Sequence, residues 1–217
     1  MSRQTIKPKL VAQFNPSSPV SETYRTLRTN VQFAAIDQPI RTLAVSSTHS
    51  GDGRTTTAAN LAVSFAQEGK KTLLIDGDLR KPSLHQMFMI PNRSGLSDAL
   101  IGERPSLSYV QETSTPGLNV MTTGTLPANP ADVLSSRKMR SMLDEFKQHF
   151  DVILFDTPPV LAVADGLIVA SFCDGVILVL NEGKTKHASA QKAMQYFGHA
   201  KARVLGVVLN NLKRKRS

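Results

Sequence analysis

Six continuous apolar runs recur along the chain: TLAVS at 42–46, KTLLID at 71–76, LNVM at 118–121, VILF at 152–155, VILVL at 176–180 and VLGVVL at 204–209. Unbroken runs of this kind suit strands covered on both faces, since a half-exposed strand alternates apolar with polar residues. Between them lie stretches with helical patterning, at 55–67, 94–101, 130–150, 162–170 and 186–197, and Gly69 closes the first. Strands alternating with helices predict an α/β domain: a parallel sheet with helices on both faces, three layers in all. Ligands then bind beyond the carboxyl ends of the strands. Ahead of the first strand, Ser18-Pro19 reads as an N-cap followed by the first helical position. Val20, Tyr24, Leu27 and Val31 recur at helical spacing, which predicts an amphipathic helix over 19–35.

A chain of 217 residues with 41% apolar content can bury one substantial core. No repeat or linker divides it, so the expected organisation is an arm at 1–17, a single domain at 18–212 and a basic tail at 213–217. No apolar run reaches membrane-span length and MSRQTIKPKL lacks a signal-peptide core, so a cytoplasmic location is expected. The single Cys173 excludes an internal disulfide and a cysteine-built zinc site. The net charge of +9 gathers partly at the ends, in Arg3, Lys7 and Lys9 and in Lys213, Arg214, Lys215 and Arg216. That pattern fits either an anionic partner or solvated termini. With no Trp and three Tyr the chain has poor material for stacking bases, and no nucleic-acid partner is expected.

The first strand runs into SSTHSGDGRTTTAANLA, residues 46–62. Gly51 and Gly53 allow a tight curl whose N–H groups, with a helix N-terminus, form an anion cradle from Ser50, Gly51, Asp52, Gly53, Arg54, Thr55 and Thr56. The phosphate-loop pattern G-x-x-x-x-G-K-[ST] is matched incompletely, with Thr48 at the first glycine and Arg54 at the lysine. LLIDGDLRKP ends a strand with Asp76 and Asp78, and VILFDTPP ends another with Asp156. A parallel sheet gathers all three carboxylates beside the glycine loop. Bunched carboxylates repel one another without a cation, and Mg²⁺ takes carboxylate, hydroxyl and phosphate oxygens. Taken singly, each Asp could be a helix cap or turn residue, and the glycine segment an ordinary strand-to-helix turn. As an ordered trio they point to a nucleotide with Mg²⁺.

The segments SETYRTLRTNVQFA, GDGRTTTAANLAVSFAQEGKKTLLIDGDLRKP, GLSDALIG, TTGTLPANPADVL, FDTPPVLAVADG and LGVVLNN together resemble the bacterial tyrosine kinases of capsule and exopolysaccharide loci, the CpsD/CapB type. The likeness covers about residues 21–210. It implies a P-loop NTPase-like fold, ATP and Mg²⁺ as cofactors, and phosphoryl transfer to tyrosines of protein substrates. By the resemblance, residues 50–56 hold the phosphates and the Thr55 hydroxyl meets Mg²⁺. Asp76 and Asp78 form a second Walker-type motif, in which Asp78 holds the metal or accepts the tyrosine proton. Asp156 reaches Mg²⁺ through water, and Asn210 contacts adenine. Glu22, Arg25 and Arg28, on the polar side of the front helix, match the family's oligomerisation motif, which builds a ring. The family's partner is a transmembrane activator whose cytoplasmic tail recruits the kinase to the inner face of the plasma membrane.

The sequence departs from the family in two places. Arg54 replaces lysine, and its planar fork aims its donors differently from a compact ammonium. The end, NNLKRKRS, lacks the family's tyrosine cluster; Tyr24, Tyr109 and Tyr196 are scattered, and packing is expected of them. Two other readings follow: an ATP-binding pseudokinase scaffold of the polysaccharide machinery, weakened by Arg54, and a Min/Par-type switching ATPase. Arg80 and Lys81 could reach phosphate, a neighbouring subunit or a nearby carboxylate, and His49 reads as a solvated loop residue.

Overall fold

The computed structural model describes residues 10–34 and 40–212. Among these residues seven strands form one sheet: β1 (Thr42–Ser47), β2 (Thr72–Asp76), β3 (Gln111–Glu112), β4 (Leu118–Met121), β5 (Val152–Asp156), β6 (Gly175–Asn181) and β7 (Val204–Asn210). Their order is β3-β4-β2-β5-β1-β6-β7. Every pairing is parallel except that of β3 with β4. The six apolar runs are the six parallel strands. The two-residue β3 was not anticipated, because so short a segment shows no periodicity.

Successive side chains on a strand face opposite ways, and the sheet sorts them into two cores. Leu43, Val45, Leu74, Leu154, Ile177 and Val179 face one side. Four helices cover them: α1 (Val11–Phe14), α2 (Pro19–Phe33), α3 (Arg54–Gln67) and α4 (Leu84–Phe88). Ala44, Ile75, Ile153, Phe155 and Leu178 face the other. There the cover is α5 (Leu96–Ile101), α6 (Pro130–Leu134), α7 (Arg137–His149), α8 (Asp165–Ala170) and α9 (His187–His199). This is the expected three-layer α/β arrangement, each buried Leu, Ile or Phe contributing about 1.5–3 kcal/mol.

The helix α3 is buried from Thr57 to Ala66, because α1 and α2 cover the side turned away from the sheet. Its alanines, 58, 59, 62 and 66, allow that close approach. Polar contacts fix the outer cover. Asn60 Oδ1 accepts from Ala12 N at 2.9 Å, and Gln67 Nε2 donates to Ala12 O at 2.9 Å.

Several expectations need correction. The arm expected over 1–17 is packed on the domain in its described part, residues 10–17: Leu10 and Ala12 are buried, and the Ser21 hydroxyl donates to the carbonyls of Val11 and Asn15. Val20 is 52% exposed, so the apolar face of α2 rests on Val31, with Leu27 packed beside it. The helix expected over 130–150 is broken at Ser135–Ser136, where the Ser136 hydroxyl caps α7 by accepting from Met139 N. Arg28 is not a free surface charge. Its Nη1 donates to Ser64 O at 2.8 Å on α3 of the same chain, and its Nε is 3.4 Å from Glu68, the residue that caps that helix. Residues 1–9 of the basic arm, Ala35 and the tail 213–217 lie outside the described residues. Among the described residues no helix is long and apolar enough to cross a membrane.

Candidate active site

Chain order reverses around β1, which lies between β5 and β6, and the crevice at its carboxyl end is where this sheet type binds ligands. The glycine loop leaves β1 at that point. Gly51 and Gly53 hold φ of 88° and 94°, a left-handed region costly for other residues, and Gly53 caps α3. The first N–H groups of α3 have no carbonyl within the helix to bond, which leaves them for an anion.

Two asparagines brace this loop from behind. Asn181 and Asn210 end β6 and β7 as a register pair. The Asn181 amide donates to Gly51 O at 3.3 Å, and the Asn210 amide to Asp52 O at 3.0 Å. With its carbonyls held outward, the loop can keep its N–H groups for the cradle. Asp52 does not face the phosphate position. Its carboxylate accepts from the Thr48 hydroxyl and His49 N, both at 2.8 Å, and from the Thr185 hydroxyl at 3.4 Å. Asp52 and Asn210 are therefore loop braces in this structure. Asn181 and Thr185 were not singled out in the sequence; the available signal was a polar residue ending a buried strand at the ligand edge.

The three carboxylates do converge. Asp76 and Asp156 are register partners on β2 and β5, and Asp78 follows two residues on. Their surroundings differ. Asp76, which the resemblance puts in the second Walker-type motif, is fully buried and accepts from the backbone N–H groups of Asp78, Ser83 and Leu84. It shapes the 77–84 segment and does not line the cavity. Burial and the neighbouring Asp156 charge push its carboxyl up to about 7, against the pull of the Leu84 and Ser83 amides. Burial also raises Asp156, while the Arg54 guanidinium and Thr55 hydroxyl pull it back.

Arg54 lies between the other two carboxylates with only 10% of its side chain exposed. Its Nε donates to Asp156 Oδ1 at 2.6 Å and its Nη2 to Asp78 Oδ2 at 3.0 Å. The Thr55 hydroxyl donates to the second oxygen of Asp156 at 2.6 Å. Thr55, Asp78 and Asp156 thus gather around the positive charge of Arg54, and their hydroxyl and carboxylate oxygens are of the donor types that Mg²⁺ takes.

A cavity of about 620 Å³ opens beside this cluster, lined by residues that include Ser50, Gly53, Thr55, Thr56, Asp78, Lys81, Met87, Pro158 and Pro159. Arg80 also lines it, but its guanidinium forms a bidentate pair with the buried Asp165, at 2.7 and 3.2 Å, the carboxylate option left open by the sequence. A second cavity of about 410 Å³ shares Ser50 and Gly51 with the first and extends past Asn181 to Lys184 and Lys186. None of the three tyrosines lines either cavity. Tyr109 is core, Tyr24 is held against Thr57 of α3, and Tyr196 packs under Lys192.

Residues 39–215 match the ParA family model, described as NUBPL iron-transfer P-loop NTPase. The tyrosine-protein kinase YwqD of Bacillus subtilis (strain 168) is 43% identical over 94% of this chain and 86% of its own. Among solved structures, the chimerical protein CapA2B2 superposes with a TM-score of 0.91 at 35% identity, covering 95% of this chain and 91% of that one. The kinase domain of the Escherichia coli tyrosine kinase ETK gives the same TM-score at 30% identity, covering 100% and 86%. On its phosphate loop, its paired carboxylate motifs and this likeness along nearly its whole length, the chain belongs to the bacterial tyrosine-protein kinases of the P-loop NTPase fold.

Proposed function

We propose that this chain transfers the terminal phosphoryl group of ATP to tyrosine hydroxyls of other polypeptide segments, in the service of capsule or exopolysaccharide production. The observation that carries this reading is the phosphate loop opening, beside Thr55, Asp78 and Asp156, onto a cavity large enough for an incoming side chain. The phosphates rest on residues 50–56, and the adjoining cavity past Asn181 takes the nucleoside end. Thr55, Asp78 and Asp156 would hold Mg²⁺, which would offset the phosphate charge. Phosphoryl transfer depends mainly on positioning and charge neutralisation, and the braced loop supplies the first. Asp78, the carboxylate that lines the cavity, accepts the tyrosine proton; Met87, Pro158 and Pro159 give the ring an apolar wall.

The acceptor tyrosine comes from outside the described fold, because Tyr24, Tyr109 and Tyr196 are all engaged in packing. Glu22, exposed, and Arg25, partly exposed, face a neighbouring copy in a ring. A transmembrane activator brings the chain to the cytoplasmic face of the membrane. The test is transfer from labelled ATP to a tyrosine-containing peptide, with the activator's cytoplasmic segment supplied. The natural protein should label the peptide and Asp78→Ala should not. A second reading, a nucleotide-binding scaffold, is favoured by the bridge that Arg54 makes across both carboxylates. Activity confined to Arg54→Lys would select it.

A further inference from the structure

The oxygens assigned above to the metal are already in use. Arg54 Nε and Nη2 hold Asp156 Oδ1 and Asp78 Oδ2, and Thr55 completes Asp156. A lysine ammonium is a point charge at the end of a flexible stem, whereas the guanidinium fork presents donors in diverging directions and can engage two carboxylates at once. Replacing it with a divalent cation means moving a buried guanidinium off both partners, and a buried charge tolerates no unpaired position. One alternative partner is within reach. Arg54 is the first residue of α3, immediately after the cradle, and lines the same cavity as Ser50, Gly53 and Thr56. A nucleotide phosphate bound there would be an anion in the cavity that Arg54 itself lines.

We infer that Arg54 is an internal counter-ion that keeps the metal position shut in the nucleotide-free protein and opens it when nucleotide phosphates draw the guanidinium away. Divalent metal therefore enters with the nucleotide and not before it. The inference rests on the ATP–Mg²⁺ reading of the site and concerns the order of entry, which that reading leaves open.

The experiment uses Mn²⁺ as the probe and measures metal bound to the chain by equilibrium dialysis, without nucleotide and with ATP. Without nucleotide, Arg54→Gln should bind Mn²⁺ at least about tenfold more tightly than the natural protein, equivalent to ~1.4 kcal/mol. Arg54→Lys, which pairs with one carboxylate rather than two, should fall between them and carries the test if Arg54→Gln fails to fold by circular dichroism. With ATP present, the natural protein should retain Mn²⁺. Equal Mn²⁺ affinity of the natural protein and both variants without nucleotide, whether all bind or none does, overturns the counter-ion role. Absence of Mn²⁺ from the natural protein even with ATP overturns the ATP–metal reading, and the inference with it.

Discussion

The side-chain amide of Asn210 occupies the space where any residue but glycine at position 53 would place its Cβ: Nδ2 stands 1.7 Å from that point and donates to Asp52 O at 3.0 Å. The strand end and the loop are thus fitted through a missing side chain. Gly53→Ala must either expel the Asn210 amide or move the loop, and it also forces alanine to a φ of 94°. Backbone strain of this kind costs about 1–3 kcal/mol. We expect a thermal midpoint lowered accordingly and no measurable heat on titration with ATP–Mg²⁺. An unchanged nucleotide affinity in Gly53→Ala would show that the fit does not matter.

Asp156 is fully buried and holds both Arg54 and Thr55. Removing one member of a buried ion pair strands the other, at a cost of about 3–5 kcal/mol. Asp156→Ala should therefore unfold at lower urea even without nucleotide, and Asp156→Ala with Arg54→Leu should recover part of the loss. If the single variant is as stable as the natural protein, the pair carries no weight in the fold.

The front helix divides its polar residues between two tasks. Arg28 bonds α3 of its own chain, and bonds from a charged donor are worth about 1.5–3 kcal/mol, so Arg28→Ala should destabilise the monomer. Glu22 and Arg25 pair with each other at the surface, where such a pair contributes about 0–1 kcal/mol. Arg25 also donates to Pro16 O at the surface, so Glu22→Ala with Arg25→Ala should lower the unfolding midpoint less than Arg28→Ala does and should lose mass by light scattering. Equal mass for the natural protein and this double variant would remove the case for assembly through these residues.

Asp98 gives the fold an acid-sensitive point. Burial works against its carboxylate, but hydrogen bonds from Thr125 and from the Gly95 amide outweigh it and hold the carboxyl below the usual range. A depressed carboxylate stabilises the folded state fully above its unfolded value, about 3.9, and loses that contribution as pH falls through the folded value. Asp98→Asn should flatten this part of the low-pH decline in a series of urea midpoints. A decline identical to that of the natural protein would assign acid sensitivity to other groups.

How far the sequence alone reached depended on the range of the interaction concerned. Each parallel strand was legible because its apolar run is local and long enough to show its pattern. The glycine loop and the strand-end carboxylates followed, since a parallel sheet sends every strand's carboxyl end to one edge. The two-residue β3 and the short α1 and α4 were not legible, being held by packing rather than by period. Nor could side-chain engagements be read. Arg54 finds Asp156 across 102 positions and Arg28 finds Ser64 across 36, while Asp76 spends its oxygens on backbone amides of the segment that folds back over it. The sequence by itself determined the sheet, the loop and the edge where chemistry gathers. Only the tertiary structure decided which carboxylate faces the cavity, which asparagines brace the loop and where the guanidinium rests, because buried charges and amides take whatever partners the packed elements bring within bonding distance.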